Sequence, residues 1–193
     1  MRRNRPMIAL LIVLAMVTVV GHAQSDRAGE SNVDERLVSF AGRLRFGLSI
    51  ATFAVYAPTV GDLHLHAQQL VNLLEGSEGR HFVRPAEPQA PVRGLRSDVA
   101  DLPVWLGEAA VEPEVRVRIT AATKNVNAYL EMALDAALAG LKQRRLDRAV
   151  DEMLRAYAFL AAAYERPAEA PYVPGLWTIV RFFGLTESER DGV

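Results

Sequence analysis

Two histidines, His64 and His66, lie two residues apart in the mainly apolar segment Asp62–Glu75. Histidine is the commonest protein ligand for transition metals. Side chains two apart on a helix point about 200° away from each other, however, so one helix cannot bring both imidazoles to one metal ion. A metal site would need a further ligand from elsewhere, such as Glu78 or His81 in the segment that follows. The candidate metal ligands are therefore His64, His66 and His81.

The alternative interpretation is that these histidines border a core stripe and form hydrogen bonds with neighbouring groups. The spacing favours it, because the sequence has neither the repeated Glu-x-x-His pairs of metal-binding bundles nor a His-Glu-x-x-His motif. Non-covalent haem is a second cofactor that a histidine could ligate, with Met132 or Met153 as the other axial ligand. Methionines at core spacing more often fill gaps in a hydrophobic core. The sequence thus requires no cofactor, and metal or haem binding is the alternative.

Arginines are concentrated in the predicted loop 76–97, and guanidinium groups bind anions. They are Arg80, Arg84, Arg93 and Arg96, to which Arg116 and Arg118 of a later helix could be added. Acidic residues are interspersed with them, so a solvated, charge-balanced loop is the simpler interpretation. The sequence has no Gly-x-Ser-x-Gly, P-loop or Gly-x-Gly-x-x-Gly motif. We therefore expect a protein that is not an enzyme.

Four stretches carry apolar residues at alternating spacings of four and three, which is typical of helices that pack along a shared seam. They cover residues 33–56, 62–75, 115–139 and 146–164, and Leu44, Leu70, Val126 and Tyr157 are predicted core positions in them. Short connections join the first pair and the last pair, so these neighbours should run antiparallel. The predicted fold is all-α, an antiparallel up-down four-helix bundle.

Two shorter helices complete the prediction. One lies between the second and third long helices, at 102–110, with Pro103 in its first turn, where proline is tolerated. The other is a short aromatic C-terminal helix within 175–184. Gly140 should end the third long helix, because glycine is unfavourable in a helix interior.

The aromatic C-terminal segment contains Leu176, Trp177, Val180 and Phe183. It either caps one end of the bundle or presents these side chains to a protein partner. Aromatic tails usually pack on their own domain, which favours the cap. A protein partner bound through this segment is the hypothesis that would make the protein a binding module.

The N-terminus has the three parts of a secretory signal peptide. Arg2, Arg3 and Arg5 precede the apolar run Met7–Val20, and small residues at 21 and 23 predict cleavage after Ala23. The run is shorter than the roughly 20 residues that a membrane span needs, so we expect only a transient membrane contact unless the segment is retained as an anchor. Residues 24–32 are predicted to be a flexible leader, 33–184 one helical domain and 185–193 a polar tail.

Composition narrows the function further. Without the three N-terminal arginines, the 22 basic and 23 acidic residues leave a mature chain of net charge about −4, which argues against a nucleic-acid partner. The chain has no cysteine, which excludes disulfides, thioether-attached haem and cysteine-ligated metal centres. The sequence predicts an exported bacterial protein, periplasmic or secreted, that acts as a binding module of unknown ligand. The alternative is a periplasmic protein that handles metal or haem.

Overall fold

The computed structural model describes residues 32–85, 93–107, 113–164, 175–176 and 179–180 of the chain. All of these residues belong to the compact unit Asn32–Val193. Its regular elements are α1 (Asn32–Val55), α2 (Val60–Glu75), α3 (Leu95–Gly107), α4 (Pro113–Leu141) and α5 (Leu146–Tyr164). The prediction of an all-α fold is confirmed. The predicted signal peptide, the leader up to residue 31 and the polar tail lie outside the described residues.

Four of the helices pack around one hydrophobic core. Helix α4 packs on α5, α5 on α1, α1 on α2 and α2 on α4, while α3 packs mainly on α4 and also contacts α1 and α2. The predicted core residues Leu44, Leu70 and Val126 are fully buried. Burial of these apolar side chains supplies most of the stability of such helices, since isolated helices of this length are only marginally stable in water.

The buried stripe of α5 differs from the predicted one. Tyr157 is 41% exposed, so its prediction as a core residue was wrong. The buried residues are Ala149, Met153, Ala156, Leu160 and Ala163, which also step by four and three. Three of these five are alanines, which allow α5 to approach α4 closely, and an aromatic ring on the same face would hold the two helices apart.

Gly140 lies inside α4 and does not end it, contrary to the prediction. It is buried against α5, where a Cβ atom at this position would lie 3.4 Å from the sulfur of Met153. The small residue is therefore part of the close contact between the two helices, and the packing outweighs its helix cost of about 1 kcal/mol. The helix ends one residue later, at Leu141.

Helix α3 begins at Leu95, well before the predicted start at 102, and Pro103 lies in its interior. Proline in a helix removes one backbone hydrogen bond and costs roughly 3 kcal/mol. The compensation is a buried stripe of Leu95, Val99 and Leu102 that again steps by four and three. Pro103 itself is on the exposed side of the helix. The sequence-based boundary was wrong because it relied on the proline and missed this stripe.

Candidate functional site

His64 and His66 contact different parts of the protein, as their spacing predicts. The Nε2 atom of His64 lies 3.0 Å from the backbone carbonyl oxygen of Gln143, in the connection between α4 and α5. This contact requires the proton on Nε2, which then donates to the carbonyl. The Nδ1 atom of His66 lies 3.0 Å from Oε1 of Gln69, and its ring packs on Phe53 of α1 with the ring centroids 5.9 Å apart.

His81 is held by Glu75, the last residue of α2. The Glu75 carboxylate accepts a hydrogen bond from the His81 backbone N–H at 2.7 Å and contacts the imidazole Nδ1 at 2.8 Å. Gln68 adds a bond from its side-chain amide to the His81 carbonyl oxygen, at 2.9 Å. The histidine therefore closes the loop onto the helix that precedes it.

Asn72 holds the same loop one step further along the chain. Its side chain is buried, donates to the carbonyl oxygen of Val83 at 2.7 Å and accepts from the Val83 backbone N–H at 3.1 Å. Gln68 donates to the same amide oxygen at 3.0 Å. We call His64, Gln68, Asn72 and Glu75 the polar edge of α2. These side chains bind backbone groups of other segments, and this is a structural role.

Two glycines fix the point where α3 approaches the end of α2. Gly76 follows the last residue of α2 with a φ of 76°, a conformation that favours glycine, and forms an isolated backbone bridge with Arg93. A Cβ atom on Gly76 would lie 2.8 Å from the carbonyl carbon of Arg93, and one on Gly94 would lie 2.6 Å from the Leu74 carbonyl oxygen. The two backbones are in direct contact, which leaves no room for a side chain at either position.

Among the described residues, no group of three or more histidine, aspartate and glutamate side chains is arranged to hold a metal ion. The structure thus does not bring His64, His66 and His81 into one such group, and each has another contact. Met153, a candidate haem ligand, is fully buried in the core against Gly140, whereas Met132 is exposed. Metal or haem binding stays a prediction from sequence, without support from these contacts.

Two of the six arginines at the predicted anion site, Arg93 and Arg96, are paired with carboxylates. Nε of Arg93 lies 2.9 Å from the buried Asp98, and its guanidinium also contacts Asp101. Arg96 pairs with Glu131 of α4 at 3.2 Å. An arginine with its charge balanced in this way is a poor anion receptor. The balancing acids lie in α3 and α4, not in the loop as the sequence suggested.

A charged cluster between α1 and α3 escaped the sequence analysis. Arg43 of α1 contacts both the Asp98 carboxylate and the Arg93 carbonyl oxygen, so the two helices are joined by charge-assisted hydrogen bonds. Burial raises the pKa of Asp98 above its ordinary value, and the positive charges of Arg43 and Arg93 act against this rise. Arg36 lies over the Trp105 ring at 5.3 Å, at the edge of a groove of about 460 Å³.

The described part of the C-terminal segment is buried. Leu176 and Val180 are 0% and 3% exposed, so neither presents an open side chain to a partner. Trp177 and Phe183 lie outside the described residues. Binding of a protein partner through this segment stays a prediction, and it would require Leu176 and Val180 to leave the core.

Four exposed large hydrophobic residues lie on α1 or directly after its last residue. Phe46, Phe53 and Tyr56 are 58%, 56% and 81% exposed, and Val38 is also exposed. With the exposed small residues Gly42 and Ser49 they form one stripe, which we call the outer face of α1. From Gly42 the stripe steps by four, three, four and three, which is the signal that sequence analysis could have used.

The one small polar side chain within the outer face, Ser49, has its hydrogen bond satisfied within the helix. The hydroxyl of Ser49 donates to the Arg45 carbonyl oxygen within the helix, at 3.3 Å. Arg45 stands at one edge of the stripe. By length and composition, Glu35–Val55 is also the one stretch among the described helices apolar enough to cross a membrane, and a third of it is buried inside the protein. Helix α1 is therefore apolar on both the inner and the outer face.

Comparison with protein-family models, with curated proteins and with solved structures finds no match to this sequence.

Proposed function

We propose that this protein is an exported binding module, an antiparallel four-helix bundle that docks an apolar helix of a partner on the outer face of α1. The contacts support the bundle, because α1, α2, α4 and α5 each pack on two neighbours in a closed order and because short connections at 56–59 and 142–145 join two of the pairs. Helix α3 covers the end of the core.

One observation carries the binding function: α1 has an apolar stripe on its outer face in addition to the buried one on its inner face. A helix of this kind is normally surrounded by protein or lipid, since its second apolar face gains nothing from water. Soluble monomers rarely expose contiguous apolar patches larger than a few hundred Å² unless the patch is functional. The outer face has three large aromatic side chains in one row, whereas the exposed Val117 of α4 lies among polar residues such as Arg116 and Thr120.

Site-specific photo-crosslinking tests the proposal in the cell that makes the protein. A benzophenone amino acid replaces Phe53 in one variant and Val117, which is 70% exposed on α4, in the control. We expect a discrete adduct only from position 53, and we expect Tyr56→Glu on the same face to abolish it. Equal adducts from both positions, or none from position 53, would reject the outer face as the binding surface.

Export is tested separately by the mass and N-terminal sequence of the protein recovered from cells. A signal peptide cleaved after Ala23 predicts a mature chain that begins with Gln24. An intact Met1 in the recovered protein would contradict export by cleavage. The docking proposal would not be affected, because it depends on α1 alone.

A further inference from the structure

We infer that the partner of the outer face is a second copy of this chain, with the two α1 helices antiparallel about a two-fold axis at Ser49; the inference rests on the proposed docking function. A two-fold interface is isologous: if residue i of the first copy contacts residue j of the second, then residue j of the first copy contacts residue i of the second. The outer face meets this requirement in its sequence. Gly42 and Tyr56 each lie seven residues from Ser49, and Phe46 and Phe53 lie three and four residues from it, on opposite sides.

Side-chain sizes along the outer face are complementary in this arrangement. Tyr56, the largest and most exposed side chain, comes opposite Gly42 of the other copy, where a Cβ atom would have nothing within 4 Å. Phe46 comes opposite Phe53, a pairing that offset or edge-on aromatic stacking favours. At the axis Ser49 meets Ser49, and two small residues allow the helices to approach closely.

The charges on the outer face are compatible with self-pairing. Between Gly42 and Tyr56 the only charged side chain near the stripe is Arg45, at its edge. In the antiparallel arrangement the two copies of Arg45 are offset by about 12 Å along the axis, given a rise of 1.5 Å per residue. This exceeds the screening length of roughly 8 Å at physiological salt, so they do not repel strongly. Helices that lie in a membrane surface usually have many basic residues beside the apolar face. Of the three arginines of α1, Arg36 and Arg43 instead contact Trp105 and Asp98 of the same chain.

The area of the outer face suits a weak, reversible dimer. Aromatic side chains bury roughly 150–250 Å² each when fully covered, so pairing of the partly exposed outer faces would remove on the order of 1,000 Å² from water over both copies, with Val38 included. Specific interfaces begin at about this size. We therefore expect monomer and dimer to exchange as the concentration changes.

The first test is sedimentation velocity over a dilution series of the protein in the form that the cell makes. We expect a concentration-dependent shift from monomer to dimer. Phe53→Glu should weaken the dimer at least tenfold, because it would bury two carboxylates, and Gly42→Leu should do the same by filling the space opposite Tyr56. Val117→Glu, on α4, should leave the dimer unchanged. Circular dichroism confirms that each variant is folded.

The register is tested with cysteines, because the natural chain contains none. Under a mild added oxidant, Ser49→Cys should form a disulfide-linked dimer across the axis far faster than the control Val117→Cys. A mixture of Phe46→Cys and Phe53→Cys should cross-link to each other faster than either does to itself. Equal rates at all positions would overturn the two-fold arrangement.

The remaining outcomes separate this inference from the proposed function. A protein that stays monomeric at all concentrations but gives a photo-adduct with another polypeptide at position 53 overturns self-pairing and retains the docking function. Binding to phosphatidylcholine–phosphatidylglycerol vesicles that is lost in Phe53→Glu identifies a membrane as the partner and overturns both proposals. A monomer with neither adduct nor vesicle binding also overturns both.

Discussion

The polar edge of α2 and the outer face of α1 each have a role opposite to the one that their residue types suggest. The edge contains a histidine, two amides and a glutamate, all of which can ligate or bind polar groups, yet its side chains bind backbone groups such as the Gln143 carbonyl and the Val83 amide. The outer face has a row of aromatic residues that resembles core, yet it lies in solvent. Polar groups with satisfied hydrogen bonds stabilise the fold, whereas apolar groups that are largely exposed are available to bind.

The largest difference in the free energy of unfolding should appear between substitutions on the inner and the outer face of α1. Phe40 is 1% exposed and Phe46 is 58% exposed, on the same helix. Phe40→Ala should lower the free energy of unfolding by about 3–5 kcal/mol through lost burial and a cavity. Phe46→Ala should change it by no more than about 0.5 kcal/mol when measured by urea unfolding at low protein concentration. Similar losses for the two variants would mean that the outer face is covered within the monomer.

Glycine substitutions should give effects of opposite sign in the two regions. Gly94→Ala forces a Cβ atom against the backbone of α2, which cannot move aside, and should cost about 3 kcal/mol or more. Gly42→Ala meets open space in a helix interior and should stabilise by about 0.5–1 kcal/mol. Thermal unfolding of both variants checks this, and a stable Gly94→Ala protein would contradict the close contact between α2 and α3.

Removing the Asn72 side chain should have an intermediate effect. It leaves both polar backbone groups of Val83 without their partner, and we expect a loss of about 1–2 kcal/mol together with faster amide exchange of Val83. Gln69→Ala, an exposed change on the same helix, is the matched control and should be nearly neutral. Unchanged exchange at Val83 would show that the loop does not depend on the polar edge.

The smallest effects concern two aspartates whose pKa values move in opposite directions from the ordinary 3.8. Burial raises the pKa of Asp98, so the stability it contributes is present in full below 3.8 and is lost as the pH rises through its folded pKa. The Arg145 hydrogen bond lowers the pKa of Asp147, so its contribution is present above 3.8 and is lost as the pH falls.

Urea midpoints of the two asparagine variants between pH 3 and 7 check these signs. The advantage of wild type over Asp98→Asn should shrink as the pH rises. Its advantage over Asp147→Asn should grow over the same range. If the difference in urea midpoint from wild type changed with pH in the same direction for both variants, the charged cluster around Asp98 would not be buried as described.

The long helices were largely predictable because the four-three spacing of apolar residues is a local property of the sequence. Leu70 of α2 was predicted to be a core residue, and it is buried in a stripe with Leu63, Ala67 and Leu74. The buried face of α5 was not predicted correctly. Alanine and tyrosine differ little in apolar character but greatly in size, and the distance between the helices decides which of them fits. Pro103 hid the start of α3 for a related reason, since tertiary burial outweighs a local penalty.

The candidate site was less predictable because it depends on contacts between distant segments. The residues around His64 in the sequence do not indicate that Gln143 lies beside it. The residues around Phe46 do not indicate that its side chain is 58% exposed. The second four-three series on α1 was present in the sequence, from Gly42 to Tyr56. A helix with two such series on different faces predicts two partners, and one of them can lie outside the chain.

Backbone amide NMR spectra over a dilution series test the central claim most directly. The account predicts that the resonances that move with concentration belong to the outer face, above all Gly42, Phe46, Ser49 and Phe53, while those of Asn72 and His81 stay fixed. Shifts centred on the polar edge of α2, or spectra that do not change with concentration, would contradict it.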